Sequence, residues 1–360
     1  MNKQLVGKCL LTAMIATGTG TVALADDDDG KKYSFAVIGD MPYNPAANGV
    51  QVYPAPDYER VIADINGSNS GRRDDDDNGR PSFTVHIGDI KGGSTRCDNN
   101  VYTQNKTYFN SYRNPVIFTP GDNEWTDCHR ANNGSYDPIE RLSFLRSTFF
   151  SNNQSLGQRK RTLIKQAGYP ENSIWIEGPV VFVTLHQPGS NNNRNRTTGL
   201  FLDLTDAEYT ARNAANMAWL NQAFALAASN RNIKGVAIFS QANPFERFLE
   251  PGQGYTVTGY GDFITNLRSK ALTSGKRVVY FGGDTHYMRV DQPLTGTYPA
   301  CTSPTGTCVP VAVPASPTDR VNNFSRVEVF AQNDVHWIKV TVSDTDPGVF
   351  QFTPRRVPGN

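Results

Sequence analysis

Four short segments share one pattern, in which an acidic residue closely follows an apolar run typical of a buried strand. They are FAVIGDMP with Asp40, FTVHIGDIKGG with Asp89, VIFTPGDNEW with Asp122, and VVYFGGDTH with Asp284 and His286. Because strand ends deliver the residues that follow them to one edge of a sheet, the pattern predicts that these side chains meet there. Carboxylates that meet repel one another unless a cation lies among them, so a metal site is the leading hypothesis.

The N-terminus has the features of an export signal. Lys3 and Lys8 precede an apolar stretch over residues 9–15 that is too short to span a bilayer, and Ala23-Leu24-Ala25 has the small-x-small pattern of a cleavage site. We therefore expect residues 1–25 to be a signal peptide cleaved after Ala25, and the protein to be secreted or periplasmic.

Charge balance excludes several classes of partner. The chain carries 35 Lys and Arg against 34 Asp and Glu, for a net charge of +1. A chain this close to neutral gives no reason to expect nucleic acid or an anionic membrane as a partner.

The cysteines beyond the signal peptide are Cys97, Cys128, Cys301 and Cys308. An even number in an oxidising compartment predicts disulfides, with three possible pairings. Adjacency favours Cys301 with Cys308, which leaves Cys97 with Cys128. A structural zinc site is disfavoured because no C-x-x-C pair occurs.

The remaining chain, 26–360, reads as a single α/β domain because apolar strand-like runs alternate with helical patterns and no linker divides them. Strands are predicted near 33–38, 83–88, 115–119, 180–185, 233–239 and 277–281, and helices near 57–66, 101–112, 138–150, 206–229 and 260–273. Thr205 and Glu208 have the spacing of a capping box at the start of the fourth helix. After residue 285 the pattern has period two, which predicts late antiparallel strands in a second sheet packed on the first.

The order and spacing of the four acidic segments resemble the calcineurin-like metallophosphoesterase superfamily, whose signature runs D-x-H, G-D-x-x-D, G-N-H-D/E, a lone His and G-H-x-H. The resemblance spans roughly residues 33–290 and implies a four-layer αββα sandwich of two mixed sheets flanked by helices, with C-terminal antiparallel strands. Asp40 matches the first Asp, with Pro42 in place of the following His. Asp89 matches the Asp that bridges two metals, with Gly92 where a second acid is common.

The later motifs depart further from the signature. Asp122 replaces the metal-binding Asn and Asn123 replaces the His that assists the leaving group. Gln241 stands at the lone His, Asp284 replaces the first His of the last motif, and His286 matches the second. These replacements retain oxygen atoms, which favour Mn or Mg over Zn and also suit Ca.

The resemblance implies two ligand sets that share Asp89. Asp40 and His286 would complete one set, and Asp122, Gln241 and Asp284 the other. Asn123 cannot protonate a leaving group, so His129, His186 and Glu124 are the candidates for that role. Lys91 and Arg96 are candidates for phosphate binding.

These features predict an exported metal-dependent hydrolase of phosphate esters. The alternative is a catalytically degenerate protein of the same fold that binds a phosphorylated ligand or partner through the old site. A serine hydrolase and a dinucleotide-binding dehydrogenase are disfavoured, because neither G-x-S-x-G nor G-x-G-x-x-G occurs in the required context.

Overall fold

The computed structural model describes residues 32–67, 80–194, 200–202, 205–245, 259–294 and 320–360. The predicted signal peptide, Cys301 and Cys308 lie outside these residues. In chain order the strands are β1 (Tyr33–Ile38), β2 (Thr84–His86), β3 (Val116–Phe118), β4 (Ile164–Gln166), β5 (Tyr169–Glu177), β6 (Val180–Thr184), β7 (Gly235–Phe239), β8 (Arg277–Gly282), β9 (Arg289–Asp291), β10 (Phe324–Glu328), β11 (Trp337–Val342) and β12 (Phe350–Arg355).

Helices cover the outer faces of the sheets. They are α1 (Pro56–Ile65), α2 (Asn99–Ser111), α3 (Pro138–Phe149), α4 (Thr205–Ser229) and α5 (Gly261–Ser274). Short 3₁₀ turns cover Thr126–His129 and Ala131–Asn133. No helix in the described part of the chain is long and apolar enough to cross a membrane.

Two mixed sheets form the centre of the fold. One has the order β12-β11-β1-β2-β3, with β1, β2 and β3 parallel and β11 antiparallel to both of its neighbours. The other has the order β4-β5-β6-β7-β8-β10-β9, in which β6, β7, β8 and β10 are parallel. The predicted fold class, two mixed sheets flanked by helices, is confirmed.

Three apolar clusters hold the four layers of the fold, helices and two sheets, against one another. Side chains of both sheets meet in the central cluster, where Phe35 packs against Phe182, Phe239 and Phe281. The outer face of the β1 sheet packs on α1, α2 and α3, and that of the β6 sheet on α4 and α5. Burial of this apolar area on both faces explains why the strands read as nearly continuous apolar runs.

The late strands correct one prediction. They do not form a second sheet of their own, because β10 joins the β6 sheet parallel to β8, whereas β11 and β12 extend the β1 sheet. Alternation of apolar and polar residues shows which face of a strand is buried, but it does not show which strand lies next to it in the sheet.

The predicted capping box of α4 is also wrong. Thr205 Oγ1 donates to the carbonyl of Leu202, and Glu208 accepts hydrogen bonds from Arg212 and Asn193. The Glu side chain has stronger donors within reach than the helix N-terminus offers.

Candidate metal centre

The acidic residues converge from both sheets. Asp40, Asp89 and Asp122 follow β1, β2 and β3, and Asp284 and His286 follow β8. The sequence pattern predicts that these residues meet at one edge of one sheet. They lie instead at the carboxyl ends of parallel strands in both sheets, and these ends lie side by side.

Five side chains form two groups with ligand spacing. Ligand atoms of Asp40, Asp89 and His286 all lie within 4.8 Å of one another, and so do those of Asp89, Asp122 and Asp284. Asp89 belongs to both groups. These two groups contain the same residues as the two ligand sets that the resemblance implies, except that Gln241 belongs to neither group.

The backbone at these residues is strained. Asp40, Asp89, Asp284 and His286 have φ values of 52°, 57°, 73° and 56°. This left-handed region is unfavourable for residues that carry a Cβ, and it persists only where surrounding structure imposes it. Four of the five candidate ligands share this conformation.

Glycines give the carboxylates room. A Cβ at Gly121 would lie 2.0 Å from Asp89 Oδ1, one at Gly283 would lie 2.1 Å from Asp40 Oδ2, and one at Gly189 would lie 2.3 Å from Asp284 Oδ1. Any other residue at these three positions would displace a carboxylate.

Asp89 is the most enclosed member. It is 1% exposed, and its Oδ2 accepts hydrogen bonds from Tyr43 Oη at 3.0 Å, Asn123 Nδ2 at 2.7 Å and Gln241 Nε2 at 3.1 Å. Burial, followed by the nearby charge of Asp122, raises the pKa of Asp89 well above its usual range. Neutral donors therefore offset only part of the repulsion.

Gln241 departs from its expected role. Its Oε1 accepts from the backbone N–H of Gly189, which turns Nε2 toward Asp89 at 3.1 Å and Asp284 at 3.0 Å. Gln241 thus presents a donor to the carboxylates where the sequence predicted an oxygen ligand. Its side chain links the two sheets' loops instead.

Asp40 and His286 are in direct contact. His286 Nε2 lies 3.4 Å from Asp40 Oδ1, which also accepts from the backbone N–H of Asp284 at 3.1 Å. Burial raises the pKa of Asp40. Burial lowers the pKa of His286, but the contact with Asp40 outweighs it, so the pKa is raised overall.

Two further acidic side chains, Glu124 and Glu328, hydrogen-bond to the loops that carry the candidate ligands. Glu124, which is fully buried, accepts from the backbone N–H groups of Gly121 at 2.8 Å and Asp89 at 3.1 Å, and burial raises its pKa to about 7. Glu328, also buried, contacts Thr285 between the two β8 ligands and accepts from Asn243 Nδ2 at 3.0 Å. Glu328 is a positioning residue that the sequence reading missed, although an acid within an apolar strand is a usable signal.

The candidates for a leaving-group acid lie in different surroundings. His186 is fully buried and its Nδ1 contacts Glu171 at 2.8 Å. His129 is 8% exposed and its Nδ1 contacts the carbonyl of Thr126 at 2.7 Å. Asn123 does lie at the centre, but as a donor to Asp89. The end of β6 turns the His186 ring into the core beside Trp125.

The donor set fits hard divalent cations. Within the described residues, Asp40 Oδ2 and Asp122 Oδ1 are buried and have no hydrogen-bond partner. Buried carboxylate oxygens without partners are costly, and a cation would satisfy them. Four carboxylates and one imidazole are donors that divalent metal ions bind.

A disulfide connects two of the acidic loops. Cys97 and Cys128 are bonded, with a Cα–Cα distance of 5.8 Å, as predicted. Cys97 follows the Asp89 loop and Cys128 follows the Asp122 loop, so the bond ties them together outside the cluster.

Comparisons with known proteins give remote structural similarities. No family profile and no curated protein matches the chain. Among solved structures, purple acid phosphatase PPD1 from yellow lupin (Lupinus luteus) seeds is 10% identical, with a TM-score of 0.45 over 91% of this chain and 54% of that one. The chain thus spans about half the length of that protein. A second solved chain, matched over its whole length, is 8% identical with a TM-score of 0.34.

Proposed function

We propose that the protein is an exported metal-dependent hydrolase of phosphate esters. The observation that carries this proposal is the pair of ligand sets that share Asp89, built from strained loops at the carboxyl ends of both sheets. Asp40, Asp89 and His286 would hold one ion, and Asp89, Asp122 and Asp284 the other. Ions bound there would supply activation of water and neutralisation of charge on the phosphoryl group.

The chain's own residues define how the site works. Glu124 fixes the backbones that carry Asp89 and Asp122, and Glu328 fixes the loop that carries Asp284 and His286. Asn123 and Tyr43 orient Asp89 through its Oδ2. Preorganised carboxylates of this kind need little rearrangement during reaction.

Among the described residues near the cluster, none is placed to protonate the leaving group as a strong acid. Asn123 occupies the position where the resemblance to metallophosphoesterases implies an imidazole. The site therefore favours esters whose leaving group is stable as an anion, such as a phenolate. We expect aryl phosphates to react much faster than alkyl phosphates.

The test is hydrolysis of an aryl phosphate by protein that has been stripped with chelator and reloaded with Mn, Mg or Zn. Turnover should depend on added metal, be higher with Mn or Mg than with Zn, and disappear in chelator. Metal binding without turnover of any ester would instead support the alternative, a protein that binds a phosphorylated ligand at this site.

A further inference from the structure

Arg130 is a cation at the rim of the second ligand set. Its Nη1 lies 2.7 Å from Asp127 Oδ2, and the Arg130 side chain is 36% exposed whereas that of Asp127 is 3% exposed. A buried acid therefore holds a solvent-facing guanidinium in a fixed position. A guanidinium held in this way is preorganised to bind phosphate oxygens.

Ser190 connects this cation to the carboxylates. Oγ of Ser190 lies 2.6 Å from Asp122 Oδ2 and 3.5 Å from Arg130 Nη2. These two distances place the guanidinium within about 6 Å of the Asp122 carboxylate. An anion bound at the second ligand set would lie within direct reach of Arg130.

The backbone around Ser190 is itself unusual. Ser190, Asn191, Asn192 and Asn193 have φ values of 48°, 54°, 58° and 59°, a left-handed turn of four residues that all carry a Cβ. Left-handed turns of this kind are disfavoured residue by residue. The turn seats Gly189 against Asp284 and Ser190 against Asp122, so it forms a wall of the second set.

The two cations that the sequence suggested for phosphate binding are engaged elsewhere. Lys91 is fully buried and its Nζ donates to the carbonyl of Gly92 at 3.2 Å. Arg96 donates to both carboxylate oxygens of Asp98, at 3.1 and 3.2 Å. Of these three residues, Arg130 alone is both partly exposed and in contact with the wall of the cluster.

We propose that Arg130, held by Asp127, binds a terminal oxygen of the phosphoryl group and makes the site selective for phosphate monoesters over diesters. This inference rests on the proposed function. A monoester has three oxygens free of substituents and carries close to two negative charges at pH 7, whereas a diester has two such oxygens and one charge. The guanidinium stabilises the additional oxygen and charge of a monoester. In a diester that oxygen carries a second ester group, which obstructs its contact with Arg130.

The experiment compares Arg130→Gln and Arg130→Lys with the wild-type protein, using Mn-loaded full chain, an aryl phosphate monoester and the matched bis-aryl diester. We expect Arg130→Gln to lower kcat/KM for the monoester about 30-fold or more, and that for the diester less than threefold. Arg130→Lys should recover part of the monoester activity. Arg96→Gln is the matched control and should leave the ratio of the two activities unchanged.

A second readout is independent of turnover. Calorimetry should show inorganic phosphate binding to the Mn-loaded protein at least tenfold more weakly in Arg130→Gln than in the wild-type protein. Equal loss of both ester activities, an unchanged ratio, or unchanged phosphate affinity would overturn the assignment of Arg130. A wild-type protein that binds phosphate through Arg130 but hydrolyses neither ester would contradict the proposed catalysis and leave the subsite standing.

Discussion

Two clusters of ionisable groups in this protein, one around Glu171 and one around Asp89, differ in how their charges are balanced. In the first, Glu171 on β5 accepts from His186 Nδ1 at 2.8 Å, and from Arg146 Nη2 at 2.6 Å and Nε at 3.0 Å. Burial alone would raise the pKa of Glu171, but His186 and Arg146 lower it to about 2. Every oxygen of that carboxylate has a partner and its charge is balanced.

In the second cluster, burial raises the pKa values of Asp40 and Asp89, and two carboxylate oxygens have no partner in the described structure. Glu171, Asp40 and Asp89 are all buried, so burial by itself does not explain why the pKa of Glu171 is lowered while the others are raised. What differs is charge balance. In the first cluster, protein side chains balance the charge of the carboxylate. The second cluster has an excess of negative charge that a divalent cation would balance.

The largest expected effect concerns the shared carboxylate. Asp89→Asn should lower kcat of the Mn-loaded protein about a thousandfold, roughly 4 kcal/mol of transition-state stabilisation, because both ligand sets lose a negative charge. Steady-state hydrolysis of an aryl phosphate measures this. Asp57→Asn, at an exposed position on α1, is the control and should retain full activity. Activity in Asp89→Asn within tenfold of the wild-type value would contradict the role of Asp89.

The disulfide between the Asp89 and Asp122 loops should matter for stability and for metal. Cys97→Ser opens a bond with a sequence separation of 31 residues, so the free energy of unfolding should fall by about 3 to 4 kcal/mol. Metal retention should weaken as well, because the two acidic loops are then free to separate. Urea unfolding and dialysis against Mn measure the two effects. The double variant Cys97→Ser/Cys128→Ser should lose no more than the single one, and an unchanged melting temperature in Cys97→Ser would refute the account.

The balanced cluster should respond as a structural ion pair. Glu171→Gln should lower the free energy of unfolding by about 3 kcal/mol at pH 7, because it leaves Arg146 and His186 without a charged partner. The pKa of Glu171 is lowered in the folded protein, so this stabilisation is fully present above about pH 4.5 and is lost as the pH falls toward about 2.

Urea unfolding between pH 7 and pH 3 tests this sign. The difference between Glu171→Gln and the wild-type protein should shrink on acidification. Glu140→Gln, which removes an acid of 50% exposure paired with Arg141, is the matched control and should change stability by less than about 0.5 kcal/mol. A difference for Glu171→Gln that grows at low pH would show that the carboxylate is not stabilised in its charged form.

The smallest effect has the opposite sign. In chelator, Asp122→Asn should raise the free energy of unfolding by about 1 kcal/mol, since it removes one of several repelling charges from the unbalanced cluster. Thermal unfolding with and without Mn measures it, and Mn should stabilise the wild-type protein more than the variant. A loss of stability in chelated Asp122→Asn comparable to that of Glu171→Gln would mean that the two clusters are alike.

Much of this fold follows from sequence pattern because the strands that carry the site are uniformly apolar. The predicted first strand, 33–38, coincides with β1, and the acids that end these strands are the ones that converge. Strand β5 was missed because Glu171, Asn172 and Ser173 interrupt its apolar pattern, and they are tolerated in the core only through partners such as His186.

The rest of the site depends on contacts between distant segments. The orientation of the Gln241 amide is set by the backbone of Gly189, 52 residues earlier in the chain. Arg130 and Ser190 are 60 residues apart and meet only through the left-handed turn after β6. Local patterns of hydrophobicity contain no information on such pairs, so the residues around a cluster are harder to predict than its ligands.

Equilibrium dialysis of chelator-stripped protein against Mn is the most direct test of the unbalanced cluster. We expect up to two tightly bound ions per chain in the wild-type protein, a loss of both in Asp89→Asn, and wild-type binding in Glu171→Gln once that variant is folded. Failure of the wild-type protein to bind Mn, or binding by Asp89→Asn at the wild-type stoichiometry and affinity, would contradict it.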